Sequence, residues 1–366
     1  MSIVRTIIIL LLVIGTATIN ISHAQTNYTW TGIHSSNWND SLNWTPKGIP
    51  SANDNITIDA QNNSLVLDQN RTINNAILQN IYLNLKGYSF SINGTANFSA
   101  IQITPGSLNF TSSVLTLDQV TTKASIHAVA TSITLQNSQF DSTVYLERTG
   151  NNTNDFFGPN IFNKTATLIQ NNSGSTWNIG QGNLPEVFNG DVDFIAQSGS
   201  IQVASTSACL FRGNISLSSS GQGISIGDTS LNFQINNSLM SVGKAINTSG
   251  FSSGKLSLYK IIQQGTGANN LQLTGNATFT ASGCDFGGDV SVSTTGTDTT
   301  VSTVNIVNTM FRQSTSISAP LATLQGNHFN VNNSTGSQTT ILQSAMGNES
   351  QIQNTNLISG TFTTKQ

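Results

Sequence analysis

Phe140, Phe162, Phe188, Phe211 and Phe286 each open a short run in which apolar and polar residues alternate. The steps between them are 162−140 = 22, 188−162 = 26, 211−188 = 23 and 286−211 = 75, the last being three steps of 25. A repeat of this size marks a solenoid, in which one coil cannot bury its own apolar face and must stack on its neighbours. The expected fold is all-β: a single-stranded parallel β-helix.

The inward face is legible in the repeats. In Phe188-Asn189-Gly190-Asp191-Val192-Asp193-Phe194 the apolar residues share one parity. Side chains two apart lie on one face of a strand, so Phe188, Val192 and Phe194 point inward while Asp191 and Asp193 point to solvent. Phe211-Arg212-Gly213-Asn214-Ile215-Ser216-Leu217 and Phe286-Gly287-Gly288-Asp289-Val290-Ser291-Val292 repeat the pattern, and Phe140 leads to Val144 and Leu146. Glycine two places after the phenylalanine marks a sharp corner where no side chain fits. Lys164 holds that corner after Phe162 and Gln313 after Phe311. A coil of about 23 residues accommodates three short strands and their turns. The length sets a ceiling of about 14 coils and a rod of order 70 Å. All strands would be parallel, and phenylalanine would stack on phenylalanine in one continuous interior column. Asn and Ser at the turns would bond to their equivalents one coil away.

The coarse organisation follows. Arg5 precedes an apolar run from Ile7 to Gly15, and Ser22-His23-Ala24 ends in small residues at the −3 and −1 positions. This predicts a secretory signal peptide over 1–24, cleaved between Ala24 and Gln25. The segment 25–60 holds Trp30, Trp38 and Trp44 with Pro46 and Pro50. We read it as an N-terminal aromatic cap, because a solenoid needs a special unit over its exposed end. The repeats then occupy 61–366. Ile73 to Leu83 is the segment closest to a helical pattern. No later apolar run is long enough to span a bilayer, so the expected location is secreted, with retention at the cell surface as an option.

Charged residues are 8%, about a third of the usual share. Net charge is −3 with no basic stripe, which leaves nucleic acid without an electrostatic footprint. Hydrophobic residues remain at 37%, above the range of disordered chains. Cys209 and Cys284 each sit two residues before a repeat phenylalanine. They would occupy the same position of coils three apart, roughly 14 Å from each other, beyond the reach of a disulfide. Two buried, unpaired thiols are expected.

Several motifs suggest chemistry and fail on context. Gly223-Ile224-Ser225-Ile226-Gly227 matches the nucleophile-elbow pattern, but alternating residues flank it with no helix following, so it reads as a strand. His34, His127 and His328 carry no supporting motif. Asp191, Asp193 and Asp289 supply too few oxygens for calcium. Trp30, Trp38, Trp44 and Trp177 could stack on sugar rings; packing in the cap is the plainer reading for the first three. Asn27, Asn43, Asn93, Asn97, Asn163, Asn214 and Asn276 head Asn-x-Ser/Thr triplets, which chance supplies in a chain this rich in those residues. No catalytic, cofactor or metal constellation emerges.

Thr29-Trp30-Thr31-Gly32, Asn37-Trp38-Asn39, Asn43-Trp44, Gly48-Ile49-Pro50 and Asn53-Asp54 resemble the opening of large secreted surface proteins of Bacteroidetes-type bacteria. The Phe-x-Gly-x-apolar repeats, Gly223–Gly227 and Gly250-Phe251-Ser252-Ser253-Gly254-Lys255-Leu256-Ser257-Leu258 resemble the body repeats of these largely uncharacterised β-solenoid proteins. The resemblance covers about 30–60 and 135–310. It implies export and a parallel β-solenoid, with no established activity. The resulting expectation is a structural or adhesin-like, non-catalytic protein meeting extracellular glycan or matrix. The alternative is a polysaccharide-binding or polysaccharide-processing β-helix.

Overall fold

The computed structural model describes residues 24–59, 64–152, 155–227, 240–275, 277–294, 304–319, 329–332, 335–343, 351–353, 356–357 and 360–364. The chain is a parallel β-solenoid. From Asn160 to Val307 the described coils have three short strands, as in Glu186–Phe188, Val192–Ala196 and Ser200–Val203, followed by Cys209–Phe211, Ile215–Ser219 and Gly223–Ile226. Each strand bonds its counterpart one coil away: Val192 faces Ile215, and Ser200 faces Gly223. Ile73 to Leu83, the near-helical segment, is divided among the strands Arg71–Ile73, Asn75–Gln79 and Tyr82–Asn84.

Coil length is not uniform. Ser107 pairs with Ser125, an advance of 18 residues, and Asn55 with Asn75, an advance of 20. The 22-to-26-residue period therefore begins only near Phe140. In the early coils one corner takes a single left-handed residue, Asn80, Ala100, Gln119 and Asn137 having φ between 51° and 55°, a device that recurs in later coils at Lys260. Strands then run almost through the corner, as in Ser107–Thr122. Ala and Gln each spend of order 1 kcal/mol in that conformation, which the stacked coils on either side impose.

The aromatic column is real but interrupted. Phe140 stacks on Phe162 at 4.9 Å, Phe162 on Phe188 at 4.9 Å and Phe188 on Phe211 at 5.2 Å between ring centroids. Phe211 then faces Val242, which faces Gln263, and the stack resumes with Phe286 on Phe311 at 5.6 Å. Before Phe140 the same file holds Leu65, Leu83, Ile103 and Thr122. The expected unbroken column is thus corrected to a four-ring and a two-ring stack in a longer apolar file. Burial requires only that the site be filled without voids, and Leu, Ile or Val does that as well as Phe. The spacing of 75 residues does span three coils, of unequal length.

The corner glycines behave as expected. A Cβ on Gly213 would overlap the Gly190 carbonyl, and one on Gly190 the Lys164 carbonyl. Neighbouring coils touch backbone to backbone there. Lys164 tolerates the corner because its own backbone is what the glycine of the next coil packs on.

The N-terminal segment closes one end. Asn27–Trp30 pairs in parallel with Asn55–Asp59 and covers its edge. Trp44–Thr45 lies against it antiparallel, through Trp30 facing Trp44. That pair departs from the expected all-parallel arrangement; it turns the end of the sheet back on itself and blunts a template for edge-to-edge association. Trp30 and Trp38 meet Trp44 edge-on at 4.8 and 5.0 Å, and Trp38 meets Phe90 at 5.5 Å. The rings thereby join the cap to the first coils of the core.

Candidate functional site: an Arg148 cleft on a ladder-covered rod

Outward positions stack into polar ladders because equivalent side chains lie one strand spacing apart. At one corner Asn163 Nδ2 donates to Asp141 Oδ1 at 2.6 Å, Asn189 Nδ2 to Asn163 Oδ1 at 2.5 Å, and Arg212 Nη1 to Asn189 Oδ1 at 2.7 Å. Gln139 and Asn163 hold the Asp141 carboxyl below the usual carboxylate range, the Gln139 hydrogen bond leading. An open groove of about 590 Å³ runs beside this ladder, with Lys164, Asp191 and Lys244 on its rim.

The aspartates singled out from the sequence are parts of these ladders. Asp191 and Asp289 are exposed, and Asp193 is half-buried. Asp191 Oδ1 accepts from Asn214 N at 2.7 Å, and Asp289 Oδ1 from Ser314 N at 3.0 Å. Each carboxylate caps the turn of the next coil. Asp193 accepts from Thr167 Oγ1 at 3.4 Å. Three or more candidate metal ligands do not gather anywhere among the described residues.

The remaining sequence candidates are dispersed. Ser225 lies mid-strand in Gly223–Ile226. His34 Nδ1 meets Asp40 Oδ2 at 2.5 Å, and His127 stacks flat on Tyr145 at 4.6 Å on the outer surface. His328, Asn276 and residues 1–23, most of the expected signal peptide, lie outside the described residues. Ala24 and Gln25 are exposed, and Gln25 Nε2 donates to Asn55 Oδ1 at 3.2 Å. All four tryptophans are buried, Trp177 to 1% exposure, so none presents a ring face to solvent.

Both cysteines are buried and unpaired. Burial pushes the Cys284 thiol up to about 12 and the Cys209 thiol well above its usual value. Neither is a thiolate at physiological pH, so neither is a nucleophile. In the folded chain at pH 8 a disulfide-exchange reagent should label no thiol within minutes, and both on addition of guanidinium. Rapid labelling of the native chain would contradict the burial of this file.

One partly open cleft stands apart from the ladders. It measures about 430 Å³ and is lined by Arg148, Asn152, Asp155, Ser175, Trp177 and Asn178 among others. Arg148 follows Val144 and Leu146 on the inward parity of Val144–Arg148. It therefore carries a guanidinium into the interior, where it is 2% exposed. Arg148 Nε pairs with Asp155 Oδ2. Nη1 donates to Gln170 Oε1 at 3.2 Å and Ser175 Oγ at 3.3 Å, and Nη2 to Asn152 O at 2.6 Å. A buried charge is tolerable only when neutralised and hydrogen-bonded in this way. Gln170 occupies the same file one coil on and ties Ser175 through Nε2 at 2.6 Å. The outward-facing aspartates drew attention in the sequence, whereas this interior arginine did not; its signal was a charged residue on the buried parity.

The chain matches no known protein family, no curated protein and no solved structure. Among the described residues no helix is long and apolar enough to cross a membrane.

Proposed function

We propose that this protein is a secreted or cell-surface structural rod of adhesin-like character, without catalytic activity, contacting extracellular glycan or matrix. The observation that supports this reading most directly is the ladder surface. Coil after coil presents Asn, Ser, Thr and Asp bonded to the equivalent residue of its neighbour, as in Asp141–Asn163–Asn189–Arg212 and Thr176 Oγ with Ser200 Oγ at 2.7 Å. Such a surface offers donors and acceptors at a fixed pitch along one direction. It suits contact with another regular, hydroxyl-rich polymer. Its low charge keeps binding from depending on ionic strength.

Purified chain beginning at Gln25 should bind immobilised extracellular glycans or matrix, or decorate intact cells, with little change between low and physiological salt. Uniform absence of binding to all three would remove the adhesive role and leave a passive scaffold.

A further inference from the structure

Resting on the glycan-contacting reading above, we propose that the groove between Lys164 and Lys244 binds a linear anionic polysaccharide, one that carries an acidic group on alternate sugars. The positions follow from register. Phe162 faces Phe188, Phe188 faces Phe211, and Phe211 faces Val242. Lys164, Gly190, Gly213 and Lys244 each stand two residues further on, so they form one file at the corner. The two lysines are three coils apart, about 14 Å along the rod. Both corners between them are glycine, and a Cβ on either would overlap a carbonyl of the coil before. No side chain rises between the lysines in this file. The open groove of about 590 Å³ lies there, its lining running from Asp141 to Lys244 over successive coils. It follows the rod axis, the direction in which an extended polymer would lie.

The charges give the ligand class. Lys164 and Lys244 are exposed, and neither ammonium has a hydrogen-bond or ion-pair partner among the described residues. The two carboxylates that share the groove are already engaged. Asp141 Oδ1 accepts from Gln139 Nε2 at 2.8 Å and Asn163 Nδ2 at 2.6 Å. Asp191 Oδ1 accepts from Asn214 N at 2.7 Å and Asn214 Nδ2 at 3.2 Å. Arg212 adds a third cation in the neighbouring file, bonded to the neutral Asn189 amide. Three cations against two carboxylates make this corner positive, in a chain whose net charge is −3. Lys164, Asp191 and Arg212 alternate in sign coil by coil, so the cations recur at every second coil, about 10 Å apart. A polymer with an acidic group on every unit would set some of them against Asp191, where like charges repel. Nucleic acid, with a phosphate on every nucleotide, is disfavoured for that reason. A sugar chain acidic at alternate units can place its anions on the cations. Its hydroxyls then meet Asn163, Thr165 and Asn189, whose amides and hydroxyl both donate and accept. Each exposed ion pair contributes little, so affinity depends on several made at once.

The test is calorimetric titration of the chain beginning at Gln25 with three oligosaccharides: a hyaluronan oligomer, acidic on alternate sugars; an oligogalacturonate of equal length, acidic on every sugar; and neutral cellohexaose. The double variant Lys164→Gln, Lys244→Gln alters exposed, unpartnered side chains and should leave thermal unfolding unchanged. Lys255→Gln removes an exposed lysine from the strand Lys255–Tyr259, on another sheet of the rod, as a control. The expected result is saturable binding of the hyaluronan oligomer at about 20 mM salt, tighter than that of either comparison and largely lost at about 500 mM. The double variant should weaken it by about tenfold, and Lys255→Gln should leave it intact. Binding unchanged in the double variant, or weakened equally by Lys255→Gln, would overturn the groove assignment. Tighter binding of oligogalacturonate would overturn the alternate spacing, and equal binding of cellohexaose would overturn the anionic class. If neither acidic oligosaccharide binds at low salt, the site is refuted; salt-insensitive decoration of cells or matrix by the same preparation would show that the adhesive reading survives without it.

Discussion

The stability of this protein should fall by about 5 kcal/mol as pH rises from 4.5 to 8, through a single residue. Glu186 is fully buried, and its carboxyl oxygens make no close hydrogen bond, the Asn160 amide and backbone N–H acting on them only weakly. Burial raises its pKa from 4.5 to about 8, and the Asn160 amide offsets only part of that shift. The folded chain therefore keeps the Glu186 proton across a range in which the unfolded chain releases it. Below pH 4.5 both states hold the proton and the residue is neutral in its effect. Between 4.5 and 8 the unfolded state gains about 1.4 kcal/mol per pH unit, and above 8 the loss is complete. Denaturant unfolding of the wild type and Glu186→Gln at several pH values isolates this residue. The difference between the two should be small at pH 4.5 and should favour the variant by several kcal/mol at pH 8. A difference that does not change with pH would show that Glu186 is ionised in the fold. The neighbour in register is Cys209, whose thiol is held protonated by burial first and by Glu186 second.

Replacing Gln263 by phenylalanine should destabilise the chain by roughly 3–6 kcal/mol, although it restores the aromatic column. Gln263 is 3% exposed and uses its whole amide. Nε2 donates to Lys244 O at 2.5 Å and Gly267 O at 2.7 Å, while Oε1 accepts from Asn269 Nδ2 at 2.7 Å and Gly288 N at 3.1 Å. The reason lies in the corner that follows. Phe188 leads to Val192 and Phe211 to Ile215 in four residues, whereas Gln263 reaches the equivalent Asn269 in six. The extra backbone turns the Gly267 carbonyl inward beside the Lys244 carbonyl of the preceding coil, and one amide ties both. Phenylalanine fills the space and leaves those groups unpaired. Chemical denaturation of Gln263→Phe against the wild type decides the matter. Equal midpoints would show that the amide cage contributes nothing. Phe188→Leu gives the comparison: a volume-tolerant change in the same file, expected to cost under about 1.5 kcal/mol.

The parity of Phe188, Val192 and Phe194, and the glycines at 190, 213 and 288, were enough to place inward faces and corners. These are local consequences of a period of two and of backbone contact between coils. The Trp-rich segment likewise announced a special end, and the thiol separation followed from counting coils. Arg148, Glu186 and Gln263 were not recognised. Each sits on a parity that reads as core, and alternation alone reports only that a side chain points inward. It does not report whether a polar one finds partners there.

Alternating apolar strands, repeated at a nearly constant step and broken by glycine, left this chain no way to bury its apolar face except by winding onto itself. That much was decided by residue order, since strand parity and turn chemistry act over a few neighbours. Which coils shorten to 18 residues, where the ring stack breaks, and how Asp155 meets Arg148 depended on residues brought together from different coils. Those outcomes belong to the tertiary structure, because a buried charge or amide is stabilised only by the particular partners that packing sets beside it.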